Sequence, residues 1–169
     1  MLLVLLAVPA FVSLGFWQWH RGEYRSALWA DFARADVPAI EANAAALDRL
    51  PRFTRVQVEG EFDPDRQVLL DNISRNGAPG YEVLTLLRLA DGSHLMVNRG
   101  WQPFSGYRDR LPDVTIPGAG GRLRLAGRLS TLPVTGIQSG RAPPAEAGSW
   151  PRVTSFPGRQ ELAHLWGEK

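Results

Sequence analysis

The sequence contains no cysteine and only one lysine, Lys169, among its 169 residues. The absence of cysteine excludes disulfides, thiolate nucleophiles and cysteine-based metal sites. The chain also lacks the G-x-S-x-G and H-E-x-x-H patterns, and its three histidines form no ligand cluster. We therefore expect no catalytic residues, no metal site and no enzyme. No lysine-rich run or aromatic RNA-binding motif is present, which argues against nucleic acid as a partner.

Charge is missing from the start of the chain. The first nineteen residues carry no charged side chain, and nearly all of the first fifteen are apolar. A helix needs about 20 such residues to cross a bilayer. Trp17 and Trp19, followed by Arg21, are typical of an interfacial anchor. We predict a transmembrane anchor over residues 1–20. The alternatives are a cleaved signal peptide, which would need a basic n-region and a small-residue cleavage site, and a buried core helix.

Helical patterns continue after the anchor. Apolar residues in Glu23–Ala35 recur at helical spacing, so this segment should prolong the membrane helix. Val37-Pro38 ends it, and the alanine-rich segment Ala39–Leu50 predicts a second short helix. Residues 21–51 should thus form a helical stalk.

The period changes to two from Phe53 onward. Val56, Val58, Gly60 and Phe62 fall on one strand face. The following Asp-Pro-Asp predicts a turn into a second strand.

Two further strands, Tyr81–Leu89 and His94–Trp101, flank a predicted tight hairpin. Alternation over Arg122–Leu129 and a candidate strand at Trp150–Phe156 precede an amphipathic helix over Arg159–Trp166. The fold class is therefore mainly β with a helical stalk (α+β): a transmembrane helix followed by a small antiparallel β-barrel or sandwich-like domain. That β domain, with a short C-terminal helix, should occupy residues 52–169.

The charges are unevenly distributed. Residues 97–159 contain nine arginines and three acidic residues, although the net charge of the chain is only +2. This basic half could face anionic lipid headgroups, an acidic partner or the propionates of a haem. An ordinary solvated surface is the alternative interpretation.

Three motifs occur in a fixed order along the chain. The first is Leu14-Gly15-x-Trp17-Gln18-x-x-Arg21, and the second, weaker one is Val58-x-Gly60-x-Phe62-Asp63. The third joins Gly77-x-x-Gly80-Tyr81 to the strand Val97-Asn98-Arg99-Gly100-Trp101. Together they resemble the Surfeit locus protein 1 family of assembly factors for cytochrome c oxidase. The members of that family have a second membrane helix near the C-terminus, with a histidine implicated in haem binding, and this sequence stops at Lys169 before any such helix.

The resemblance implies a function by binding and hand-over, without bond chemistry. The partners would be the catalytic subunit of cytochrome c oxidase, other assembly factors and the lipid bilayer, with haem a bound transiently. The location would be the bacterial inner membrane, with the β domain on the periplasmic side. Arg21 and Arg25 alone would favour the opposite orientation. The alternatives are a tethered periplasmic binding module for an anionic ligand, and a hydrolase with an Asp–His pair.

Several residues are candidates for these roles. Trp17, Gln18, His20 and Arg21 are the candidate contacts to haem a, and Gly15 would let a neighbouring helix approach closely. Glutamine so near hydrocarbon needs a polar partner. The remaining motif residues, with a partner-binding or structural role, are Gly60, Gly80, Asn98, Arg99, Gly100 and Trp101.

The arginine of the last motif makes a structural prediction. By strict alternation, Arg99 shares a strand face with Val97 and Trp101, so its guanidinium should be partly buried. It then needs several carbonyls or a carboxylate, for which Asp71 and Glu82 are the candidates. Gly100 predicts a β-bulge or a close backbone approach.

Overall fold

A computed structural model describes residues 2–118, 120–132, 150–155 and 158–167. In chain order its elements are α1 (Leu2–Arg34), β1 (Ile40–Glu41), α2 (Ala44–Leu47), β2 (Arg55–Leu70), β3 (Gly80–Leu89), β4 (His94–Pro103), β5 (Leu123–Arg128), β6 (Arg152–Thr154) and α3 (Arg159–Trp166). The predicted C-terminal helix is confirmed, as are the β3–β4 hairpin and a strand within 122–129. The last predicted strand is shorter than expected, and Phe156 lies outside the described residues.

α1 is one continuous helix of 33 residues, which includes Pro9. It joins the predicted anchor to the first part of the predicted stalk, as expected. Its apolar side chains are largely exposed; the exposed fraction of Phe11, for example, is 72%. Within the described residues, no helix meets the length and apolarity needed to cross a membrane, so the predicted transmembrane span is not confirmed.

The sheet is built around β2, which has 16 residues and pairs with four other strands. β3 and β5 are antiparallel to β2, whereas β1 and β6 are parallel to it. The structure is therefore a mixed half-barrel, and the prediction of a purely antiparallel domain is wrong. The cause is that β1, just before β2 in the chain, and β6, near its far end, each fill a free edge of β2 in the parallel direction.

Two local predictions also need correction. The segment Ala39–Leu50 is not one helix, because Ile40 and Glu41 pair with β2 and only α2 is helical. Asn43 starts α2 by accepting a hydrogen bond from the Ala46 amide at 3.0 Å. In addition, the predicted turn at residues 63–65 is a bulge within β2. The Asp63 carboxylate accepts hydrogen bonds from the backbone amides of Asp65 and Arg66, and the strand continues without reversing.

The core lies on both faces of β3. One face packs against α3, and its buried side chains are Val68, Leu70, Leu84, Leu86, Leu162, Leu165 and Trp166. The other face forms the inside of the half-barrel, with Leu47, Val56, Val58, Phe62, Leu87 and Leu89 buried. The predicted inward face of the first strand is thereby confirmed. β3 is thus a central strand covered on both sides, a rigid platform for the motif residues of β4.

Candidate functional site

The glycine loop and the tryptophan of β4 form one packed unit. A Cβ atom on Gly80 would lie 2.4 Å from the Trp101 ring and 2.4 Å from the Gln102 carbonyl oxygen, so only glycine fits there. The Trp101 indole donates a hydrogen bond to the Ile73 carbonyl at 2.8 Å. Gly60 is equally constrained, because a Cβ atom would lie 2.6 Å from the Arg88 carbonyl oxygen. Gly80 therefore joins the two halves of the third motif, and Gly60 holds the second motif against the end of β3.

The predicted bulge at Gly100 is confirmed. Leu84 pairs with Asn98 while Glu82 pairs with Trp101, so β4 holds one extra residue at this point. Gly100 has a φ of 115°, and its amide donates to the Asn98 side chain at 2.9 Å. The extra residue turns Trp101 to the face opposite Arg99. The prediction that these two side chains share a face is wrong, because strict alternation does not hold across a bulge.

The Arg99 guanidinium enters the half-barrel and binds neutral oxygens. Its Nε donates to the Thr85 hydroxyl at 3.0 Å, and its Nη2 donates to the Gln67 side-chain oxygen and to the Val114 carbonyl. Gln67 and Thr85 are both buried, and Gln67 in turn donates to the Pro64 carbonyl. This network joins β2, β3, β4 and the loop before β5.

Partial desolvation lowers the pKa of Arg99, and the partners that the described residues give it, Thr85, Gln67 and Val114, are all neutral oxygens. Of the carboxylates predicted for it, Asp71 instead binds Arg108, with an Nη1 to Oδ2 distance of 2.9 Å. The loop that supplies the Val114 carbonyl is itself tied by Asp113, which accepts from the Thr115 amide and hydroxyl. Those two hydrogen bonds hold the pKa of Asp113 below its usual range.

The α1 motif lies apart from this network. Gly15, Trp17, Gln18, His20 and Arg21 are all exposed, and a Cβ atom on Gly15 would meet nothing within 4 Å. The Arg21 guanidinium lies 5.4 Å from the centre of the Trp17 ring, and the His20 Nδ1 lies 3.6 Å from a Glu23 carboxylate oxygen. These contacts of Trp17, His20 and Arg21 are all to residues of α1.

Helical geometry limits what the four predicted haem contacts can do together. Successive residues are separated by about 100° around a helix axis, which places Gln18 and His20 about 160° apart. Trp17 and Arg21 lie between them on one side. A single planar ligand cannot be gripped by all four side chains of one straight helix. His94 and His164 are exposed, as predicted, and lie outside α1. In the part of the chain that is described, no three His, Asp or Glu side chains are placed to hold a metal ion.

The junction between α1 and the half-barrel was not predicted. Arg128 of β5 donates to the carbonyls of Phe32 and Ala35 at 3.3 and 3.4 Å, and to the side chain of Asp36 at 3.4 Å. Its guanidinium also lies 4.2 Å from the centre of the Phe32 ring. A cation at the end of α1 satisfies its last carbonyls and complements its dipole. The partners are more than ninety residues apart, so no local sequence signal could have identified them.

Replacing Arg128 with methionine should loosen the end of α1. The last turn of the helix would lose these hydrogen bonds, and we expect the amides of Ala35 and Asp36 to exchange with deuterium roughly tenfold faster. Hydrogen exchange read by mass spectrometry measures this. Arg124→Met changes an exposed arginine of the same strand and should leave the exchange unchanged. Equal protection in both variants would contradict the assigned role of Arg128.

The fold and site define a class: a small mixed β half-barrel on a long N-terminal helix, with a glycine–arginine–tryptophan motif built into its central hairpin. The comparison with known families agrees with this description. The sequence model of the SURF1 family matches residues 5–169, and the chain belongs to that family.

Individual relatives carry the same family name. A SURF1-like protein of Rickettsia felis is 31% identical over 103 residues, which cover 59% of this chain and 45% of that protein. A SURF1-like protein of Dictyostelium discoideum is 30% identical over 121 residues, which cover 63% of this chain and 44% of that protein. The chain thus matches less than half the length of these two curated relatives. No solved structure matches it.

Proposed function

We propose that this protein is a membrane-anchored assembly factor for cytochrome c oxidase. It would hold the immature catalytic subunit, or assist the insertion of haem a into it, by binding and release without bond chemistry. The observation that carries the proposal is the family match, which extends over nearly the whole chain. The half-barrel would lie on the periplasmic side of the bacterial inner membrane.

The exposed apolar surface of α1 supports the anchoring part of the proposal. Large apolar side chains project from its first five turns; they include Val4, Leu5, Leu6, Val8, Phe11, Val12, Leu14 and Phe16. So much exposed apolar surface on one helix marks a contact with lipid or with another protein. Trp17 and Trp19 would then lie at the level of the lipid headgroups.

The geometry of α1 favours a protein partner over a stably bound haem. Gln18 and His20 point to different sides of the helix, so different molecules would contact them. Arg21 and Gln18 could each bond a polar group of a neighbouring membrane helix, where such bonds replace water. Haem a would then be bound only transiently, mainly by residues of the partner proteins rather than by α1.

The alternative, a binding module for an anionic ligand, would use the arginine-rich half of the chain. Several arginines of that half already have acidic partners: Arg108 is paired with Asp71, and Arg122 lies 4.0 Å from Glu59. These pairs reduce the positive surface that such a ligand would use. They favour the assembly-factor proposal.

Purification of the protein with its partners tests the proposal. The full chain would be affinity-purified from its native membrane in mild detergent, and the eluate examined by visible absorption and mass spectrometry. We expect the catalytic subunit of cytochrome c oxidase in the eluate, with or without a haem a spectrum. Its recovery should fall at least about fivefold in Gln18→Ala and Arg21→Ala, because each removes one polar contact to the partner's membrane helix.

The matched control is Arg124→Ala, which removes an exposed arginine from the half-barrel and should leave recovery unchanged. A colourless protein without any oxidase subunit would overturn the proposal. An anionic small molecule in that eluate, lost when arginines of residues 97–159 are replaced, would support the binding module instead.

A further inference from the structure

An open apolar groove lies where α1 meets the half-barrel. Its volume is about 540 Å³, and it is lined by Arg25, Leu28, Trp29, Phe32 and Phe53. The Trp29 ring packs edge-on against Phe32, and Phe32 packs edge-on against Phe53, with ring centres 6.1 and 5.6 Å apart. Even so, 72% of the Trp29 surface is exposed. A tryptophan this exposed beside two other aromatic rings is typical of the centre of a binding surface.

The backbone at Phe53 is strained, and its conformation positions the Phe53 ring in the groove. Phe53 has a φ of 71°, in the left-handed region that bulky residues rarely occupy. The conformation is held by the Phe53 amide, which donates to the Leu129 carbonyl at 2.8 Å, and by Arg128, which donates to the Phe53 carbonyl at 3.4 Å. Strain maintained by surrounding contacts is concentrated at functional sites. Here it holds an aromatic ring against Phe32 at the floor of the groove.

We propose that this groove docks one helix of an integral membrane partner, at the part of that helix that has just left the bilayer. The proposal rests on the membrane anchoring proposed above. If Trp19 lies at the headgroups, Trp29 lies ten residues further along α1, a distance of about 15 Å. The headgroup region on each side of a bilayer is only about 5–7 Å thick. The groove would therefore lie above the lipid, where a protein segment rather than an acyl chain can cover it.

The charges around the groove determine which segment fits. Arg25 lines it, and the Arg52 guanidinium lies 4.5 Å from the centre of the Phe53 ring. The nearby acids are already engaged: Asp31 is paired with Arg34, and Asp36 with Arg55 and Arg128. The rim is thus positive around an apolar floor. The complementary partner is a helix with aliphatic or aromatic side chains on one face and an aspartate or glutamate beside them.

Photo-crosslinking tests this proposal in the full chain in its native membrane. With p-benzoylphenylalanine in place of Trp29, we expect a crosslink that maps within about three turns of the end of a partner's membrane helix, in a segment that contains an acidic residue. The double change Arg25→Glu and Arg52→Glu should lower the crosslink yield at least tenfold by repelling that residue. Arg124→Glu is the matched control, because it places the same charge reversal on β5, away from the groove.

The unlabelled variant Trp29→Ala keeps the test independent of folding. Trp29 is mostly exposed, so its removal should leave the thermal stability nearly unchanged while oxidase recovery falls about tenfold. The proposal is overturned if the probe at position 29 reacts only with lipid, reacts only with a second copy of this chain, or gives the same yield after the double charge reversal.

The outcome separates the two proposals. Oxidase recovery that is normal in Trp29→Ala would reject the groove and leave the assembly role intact. A charge-sensitive crosslink to a different membrane protein, without any oxidase in the eluate, would support the groove and reject the oxidase role.

Discussion

Replacing Gly80 with alanine is expected to lower the free energy of unfolding by about 3 kcal/mol. The added methyl group would lie 2.4 Å from the Trp101 ring and from the Gln102 carbonyl. Neither can retreat easily, because Trp101 is bound to the Ile73 carbonyl and Gln102 belongs to the β3–β4 ladder. For a chain of this length, the melting temperature should fall by about 6–12 °C. Equilibrium unfolding in urea, followed by tryptophan fluorescence, measures the change.

Gly127→Ala is the matched control for this prediction. Gly127 is also a strand glycine, but a Cβ atom there meets nothing within 4 Å, and its φ is not positive. We expect its stability to change by less than about 0.5 kcal/mol. If both variants unfold at the same urea concentration, the close contact between Gly80 and Trp101 does not determine stability.

Replacing Arg99 with methionine is expected to lower the free energy of unfolding by about 2–3 kcal/mol. The aliphatic stem largely keeps its volume, but two buried side chains, Gln67 and Thr85, lose their hydrogen bonds to the guanidinium, and their oxygens keep only the 3.3 Å hydrogen bond from the Thr85 hydroxyl to Gln67. The Val114 carbonyl loses its partner too, so the loop before β5 should also become more mobile. Chemical denaturation measures the first effect, and hydrogen exchange of residues 113–116 measures the second.

Two comparisons make this prediction specific. Arg88→Met removes an exposed arginine of the adjacent strand that is paired with Glu61 at 2.7 Å, and should cost less than about 1 kcal/mol. The triple variant Arg99→Met, Gln67→Leu and Thr85→Val removes the donor together with its two side-chain acceptors, and should recover part of the loss, although the Val114 and Pro64 carbonyls still lose their donors. A triple variant no more stable than Arg99→Met would mean that packing, rather than hydrogen bonding, explains the effect.

Side-chain periodicity predicted the central part of this fold. The alternation of Val56, Val58 and Phe62 gave the buried face of β2, and the Asp91-Gly92 turn predicted the β3–β4 hairpin. These signals are local, because a strand face and a tight turn are encoded by adjacent residues. The bulge at Gly100 in β4 was predicted for the same reason, since an isolated glycine within a strand is typical of a bulge.

The pairing of β1 with β2 and the bulge within β2 could not be predicted from local sequence patterns. Ile40 and Glu41 lie in an alanine-rich segment with high helical propensity, but only α2 of that segment is helical. Ile40 and Glu41 instead form backbone hydrogen bonds with the free edge of β2. Pro64 has no amide to donate, which makes its segment resemble a turn, yet a bulge accommodates it without reversing the chain. Residue propensities predict neither the β1–β2 pairing nor the bulge at Pro64, because both depend on contacts with other strands.

For the motif residues, too, local features were predicted from the sequence and tertiary partners were not. Sequence reasoning gave the partial burial of Arg99 and its need for oxygen partners, since an inward arginine must be satisfied. It did not give those partners, because Thr85, Gln67 and Val114 meet only after three strands and a loop assemble. The Arg128 junction was missed for the same physical reason.

The pairing pattern of β2 has a consequence for the order of events during synthesis. Its C-terminal half pairs with β6, and Trp166 at the end of α3 exchanges hydrogen bonds with Arg66, 100 residues earlier. When only the first 130 residues have left the ribosome, β1 to β5 are complete, but the C-terminal half of β2 still has one edge without its partner strand β6. That edge could recruit a neighbouring nascent chain. Residues 152–166 supply the partners of this edge, so a chaperone that shields residues 67–70 until that segment is made should raise the yield of this protein more than one that acts on α1.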